Sequence, residues 1–202
     1  MRPTHRHVLV VAGSDSSGGA GVARDVATLS HFGVPASLAI TAVTAQTHAE
    51  VVSAQAVRAS HVAAQMRAAL AANPIGSIKL GMLATAEIVE AVAEVLTGFR
   101  AIPVVLDPVV ASTSGARLLS GVGVESLCDK LLPLASLVTP NLPELAVLTG
   151  SNAARSEGEI ETQAVRLIDR GPSNVLVKGG HARGRQSIDT FFTTGSPPRH
   201  FA

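Results

Sequence analysis

Apolar residues along this chain recur in two alternating patterns. Short β-branched runs stop at glycine, proline or a hydroxyl, and between them lie longer stretches with apolar positions three and four apart. The short runs predict strands at 8–12, 36–41, 51–57, 77–80, 104–106, 137–138, 175–177 and 189–192. The longer stretches predict helices at 21–32, 61–72, 85–96, 124–132, 142–148 and 157–170. Ser60 and Thr85 stand where N-caps belong, and Ser156 with Glu159 has capping-box spacing. Gly33 and Gly171 fall at helix C-termini. Such alternation predicts βαβ units, hence an α/β fold with a mostly parallel sheet covered by helices on both faces. A length of 202 residues, with no repeat or linker, predicts one domain. Ser196-Pro197-Pro198 reads as a turn near the end.

Composition narrows the function classes. Apolar residues make up 47% of the chain, enough for a large core. The individual runs are far shorter than the ~18 residues of a membrane span. The basic start MRPTHRH leads into a run that meets Ser14 and Asp15 too soon for a signal peptide. Sixteen basic against 15 acidic residues, and five Phe with no Tyr or Trp, give no footprint for nucleic acid. Arg183 and Arg185 read as a solvated loop. The single cysteine, Cys128, sits at a helical apolar position and reads as a core thiol in a reducing compartment. The seven histidines make no HExxH or Cys/His ligand set. A soluble cytoplasmic protein is expected.

In open α/β sheets ligands bind beyond the carboxyl ends of the strands. The residues at those ends are Gly13-Ser14-Asp15, Thr44-Ala45-Gln46, Gly81-Met82, Asp107-Pro108-Val109, Thr139-Pro140-Asn141 and Lys178-Gly179-Gly180-His181. Such a set suits a nucleotide phosphate and a small polar substrate. The first strand runs into VLVVAGSDSSGGAG, a glycine-rich turn that lets backbone N–H groups approach a ligand. It lacks P-loop spacing, and strand–glycine–helix turns also occur as plain structure. Asn141 and Glu144, one turn apart, could order Mg²⁺ beside phosphates. With Pro143 between them they also make an ordinary helix cap, the reading this segment alone favours. Lys178 could neutralise a polyphosphate or be a solvated lysine in a glycine turn. Asp107 could hold a metal or its water, or start the next turn. The Gln46 amide could pair with a heterocycle edge or lie at the surface.

Taken in order, AGSDSSGGAG, Asp25, TAVTAQ, KLGML, LDPVVASTSG, VTPNLPEL and VLVKGGH resemble the hydroxymethylpyrimidine/phosphomethylpyrimidine kinases of thiamine biosynthesis, in the ribokinase-like superfamily. The resemblance runs from Val8 to Ala202. It implies a ribokinase-like three-layer α/β/α sandwich and phosphoryl transfer from Mg-ATP to 4-amino-5-hydroxymethyl-2-methylpyrimidine and then to its monophosphate. It places Gly13, Ala20, Asp25, Thr44, Gln46, Met82 and Val109 around the pyrimidine, with Gln46 and Asp25 supplying polar recognition. Asp107 and Glu144 would serve the Mg²⁺, Asn141 and Lys178 the nucleotide phosphates. A homodimer is also implied.

The sequence departs from the family pattern at Gln46-Thr47-His48, where Gln-Asn-Thr is frequent, and at Val110, where Met is frequent. The family continues into a Gly-Thr-Gly-Cys segment that forms an anion hole and supplies the proposed base. No such string occurs here, so no catalytic residue is assigned. The expectation is a C-terminally shortened chain that is a poor kinase alone and exposes an apolar face. Two other readings stand beside this one: a pyridoxal kinase-like enzyme and a non-catalytic pyrimidine-binding module.

Overall fold

The structure, a computed structural model, describes residues 6–112, 115, 117–179 and 187–201. Gly180, His181, Arg183 and Arg185, together with His5, Thr113, Ser114 and Ala202, lie outside the described residues.

Among the described residues nine strands form one sheet: β1 (His7–Asp15), β2 (Ala36–Gln46), β3 (Val51–Ala56), β4 (Ile75–Leu80), β5 (Val104–Leu106), β6 (Leu137–Val138), β7 (Asn174–Val177), β8 (Asp189–Thr193) and β9 (Arg199–Phe201). Their spatial order is β3-β2-β1-β4-β5-β6-β7-β8-β9. Strands β2, β1, β4, β5, β6 and β7 are mutually parallel, and β3, β8 and β9 are joined to them by antiparallel pairing. β1 is an interior strand because it is apolar on both sides. Leu9 and Val11 enter one core, and Val10 and Ala12 enter the other.

The larger core takes helices α2 (Ala59–Ala72), α3 (Ala86–Thr97), α4 (Gly121–Ser126), α5 (Leu142–Thr149) and α6 (Glu157–Ile168). In α3 the buried residues Ile88, Val89, Val92, Ala93, Val95 and Leu96 form one apolar stripe. Thr85 caps that helix, its hydroxyl accepting from the Ile88 N–H. Helix α1 (Gly21–His31) covers the opposite face with Val22 and Leu29. Gly33 follows it with φ +67°, and the Val34 N–H donates to the Leu29 carbonyl, closing the helix as expected.

The structure corrects several local expectations. β1 continues through Gly13-Ser14-Asp15 and β2 through Gln46. Pairing of Ser14 with Val43 and Asp15 with Thr44, past a bulge, outweighs their polar character. β3 is the antiparallel partner of β2 at the sheet edge, so it is no part of a βαβ unit. Ser60 is not a cap: α2 starts at Ala59 after Arg58, with no side-chain cap. Ser156 caps α6, but Glu159 reaches back to the Arg155 N–H, one residue before the cap. The 124–132 helix divides into α4, a π-helical turn at Leu127–Leu131 and a 3₁₀ turn at Leu132–Leu134, where Pro133 cannot continue an α-helix.

Cys128 is buried in the larger core, as its position in the sequence suggests. Burial pushes its thiol up, and this outweighs the opposing pull of Arg170. The native chain is expected to resist Ellman's reagent and to release one thiol equivalent only on unfolding. Stoichiometric labelling before denaturation would contradict the core assignment.

Candidate active site

The carboxyl ends of β1, β2, β4, β5, β6 and β7 open on one cavity of about 570 Å³, within the range of small-molecule sites. Ten of the eleven site residues expected from the sequence line it: Gly13, Ala20, Thr44, Gln46, Met82, Val109, Asp107, Asn141, Glu144 and Lys178. Asp25 does not. It stands on α1 and contacts the cavity through Lys79, whose ammonium lies 2.7 Å from the Asp25 carboxylate.

The glycine-rich turn is built by Asp15. One carboxylate oxygen accepts from the Ser17 N–H and the Ser17 hydroxyl, both at 2.8 Å. The other accepts from the Ala20 N–H at 2.8 Å. Burial pushes the Asp15 carboxyl up, but the hydrogen bonds from Ser17, Ala20 and Gly19 outweigh it and hold the group below its ordinary value. Ser16 fastens the turn to β2: its hydroxyl donates to the Gln46 carbonyl at 2.9 Å and accepts from the Gln46 N–H at 2.8 Å. The buried Thr41 hydroxyl donates to the Met82 carbonyl at 2.6 Å, fixing the segment after β4. One end of the cavity is thereby tied together by hydrogen bonds, with Met82 and Val109 as apolar walls and Gln46 as the amide.

The other end is charged. Lys178 Nζ lies 2.7 Å from Asp107 Oδ1 and 3.8 Å from Glu144 Oε2. Asn141 and Glu144 form a reciprocal capping box at the start of α5. The Asn141 side chain accepts from the Glu144 N–H, and the Glu144 carboxylate accepts from the Asn141 N–H, each at 2.8 Å. The Lys178 N–H donates to the Pro140 carbonyl, which ties β7 to this cap. Among the described residues no three His, Cys, Asp or Glu side chains cluster as a metal cage. Asp107 and Glu144 beside one ammonium instead match a Mg²⁺ held by one or two carboxylates plus ligand phosphates.

Ser16 and Lys79 carry no role in the sequence reading, and Asp15 enters it only as a strand-end residue. An Asp two residues before a Ser is an Asx-turn signal, and a lysine at an alternating position of the apolar strand IGSIKL is the mark of a special environment.

Because the Asp15 carboxyl is held low, its contribution to stability is complete above its unfolded value near 3.8 and disappears as pH falls through the still lower folded value. Calorimetry of wild type and Asp15→Asn is therefore expected to show a constant difference in Tm from pH 5 upward that shrinks on acidification below that range. A difference independent of pH would contradict the assignment.

Residues 15–201 match the family described as phosphomethylpyrimidine kinase. A hydroxymethylpyrimidine/phosphomethylpyrimidine kinase of Rhizobium meliloti (strain 1021) is 44% identical over 184 residues, 91% of this chain and 69% of that protein. The crystal structure of a phosphomethylpyrimidine kinase from Clostridium difficile 630 superposes with a TM-score of 0.88 at 33% identity, covering 97% of this chain and 84% of that one. A pyridoxal kinase from Staphylococcus aureus in complex with pyridoxal gives 0.85 at 30% identity, over 95% and 70% of the two chains.

Proposed function

The chain belongs to the phosphomethylpyrimidine kinase family, and on that premise we propose that its cavity holds a hydroxymethylpyrimidine at one end and ATP phosphates at the other. The reaction is phosphoryl transfer from ATP to 4-amino-5-hydroxymethyl-2-methylpyrimidine and its monophosphate, in thiamine biosynthesis. The observation that carries the assignment of residues is convergence: segments from Gly13 to Lys178 meet at a single cavity.

Each residue then has a physical task. The Gln46 amide offers a donor and an acceptor to the pyrimidine edge. Met82 and Val109 press on its faces, and Gly13, Ala20 and Thr44 shape the floor. Asp25 acts from behind, through Lys79. Lys178 and Asn141 receive the nucleotide phosphates, and Asp107 and Glu144 would hold Mg²⁺. When bound, Mg²⁺ neutralises charge on the phosphate oxygens. Phosphoryl transfer depends mainly on positioning and charge neutralisation, which a hydrogen-bonded pocket beside a lysine and two carboxylates can serve.

The same reading takes the chain as a single domain acting as a cytoplasmic homodimer, with no nucleic-acid partner. The near-balanced charge and the lack of any helix long and apolar enough to cross a membrane among the described residues accord with it. Sedimentation equilibrium at twice the chain mass is the expected result.

The functional test is competition by titration calorimetry between the hydroxymethylpyrimidine and pyridoxal, alongside mass-spectrometric detection of the phosphorylated product. The pyrimidine is expected to displace pyridoxal. Preference for pyridoxal would favour a pyridoxal kinase-like role, as in the Staphylococcus aureus neighbour. Pyrimidine binding with no detectable affinity for ATP would favour a binding module.

A further inference from the structure

Two lysine–carboxylate pairs border the cavity, and only one stands at its phosphate end. Lys178, beside Asp107 and Glu144, follows β7. Lys79 is on β4, between β1, which carries Gly13, and β5, which leads into Asp107. Strand order therefore sets Lys79 midway between the apolar end and the charged end. If the division of the cavity proposed above holds, as this inference requires, that midpoint is where the acceptor's hydroxymethyl group meets the transferred phosphate.

The acceptor there changes charge. It is neutral in the first transfer and carries a phosphate of about −1.5 to −2 in the second. Asp15 also lines the cavity and would repel that phosphate, while Asp107 and Glu144 already share the Lys178 ammonium. One pocket serving both acceptors needs a cation at the midpoint, balanced when the acceptor is neutral. Lys79 meets both conditions. It lines the cavity, and its resident partner is Asp25 at 2.7 Å, the two side chains being 24% and 23% exposed. Gly81 leaves the ammonium its room, since a Cβ there would stand 3.0 Å from Lys79 Nζ.

We propose that Lys79 is a specificity residue for the phosphorylated acceptor. Its ammonium donates to the monoester phosphate when that acceptor is bound and rests on Asp25 when the acceptor is the free alcohol. A half-buried ion pair of purely structural purpose would treat the two acceptors alike.

The test is titration calorimetry of the whole chain with the hydroxymethylpyrimidine and with its monophosphate, for wild type, Lys79→Met, Lys79→Gln and Lys79→Arg. The readout is the ratio of the two affinities, which a general loss of stability does not move. Removal of the charge is expected to lower the monophosphate-to-alcohol affinity ratio about 10- to 100-fold, the scale of a hydrogen bond to a charged group. Lys79→Arg is expected to recover most of it. Lys79→Gln, which can still donate to Asp25, serves where Lys79→Met does not fold. An unchanged ratio in a folded uncharged variant overturns the proposal and leaves the kinase reading standing. A wild-type chain that binds neither acceptor overturns both.

Discussion

Replacing Lys178 by methionine is expected to lower affinity for ATP by about 10²-fold, the larger end of what a charge-assisted contact contributes. Two effects add. The phosphates lose their ammonium, and Asp107 and Glu144, which it holds at 2.7 and 3.8 Å, are left facing the incoming anion. Stability is expected to change little. The Lys178 and Asp107 side chains are partly exposed, and such ion pairs contribute at most about 1 kcal/mol. Lys178→Arg retains the charge and is expected to keep most of the binding. Calorimetric titration with ATP, paired with urea unfolding, separates the two readouts. A variant that loses stability but keeps its nucleotide affinity would show that Lys178 serves the fold rather than the ligand.

The second large effect is at Gly21. Its φ of +59° is in the left-handed region, which costs any other residue about 1–2 kcal/mol. A Cβ there would also run into the carbonyl oxygen of Gly13, a backbone atom that no rotamer change can move aside. Gly21→Ala is therefore expected to cost at least about 2 kcal/mol and to displace both Gly13 and Ala20 from the ring end of the cavity. Pyrimidine affinity should fall at least tenfold, by about 1.4 kcal/mol or more. Gly18→Ala is the control: the same loop, φ +73°, but open space around the added carbon. It should show the left-handed strain alone. Equal losses for the two variants would mean that the clash with Gly13 has no consequence.

Much of the site was legible because its parts are local. The Asn141–Glu144 cap follows from a spacing of three residues at a helix start, and the structure contains it. The ends of β5 and β7, just before Asp107 and Lys178, follow from apolar runs that stop at polar residues. The parallel sheet follows from the alternation of such runs with amphipathic stretches. Asp15 and Ser17 were legible in principle, since an Asx turn closes over two residues.

What stayed hidden depends on which strands meet. Lys178 and Asp107 are 71 residues apart, and Lys79 and Asp25 are 54 apart. No local pattern says which lysine takes which acid. The edge strand VVSAQA reads the same whether its partner runs parallel or antiparallel, and pairing alone carried β2 on to Gln46. The sequence by itself determined most of the elements, the caps at Thr85, Asn141 and Ser156, and the polar residues that follow the apolar runs, because each is settled within a turn or a short run. Only the tertiary structure decided the two lysine–carboxylate pairs, the bond from Thr41 to Met82 and the placement of Asp25 behind the cavity wall. Those depend on strand order and register, which arise from burying both faces of β1 at once.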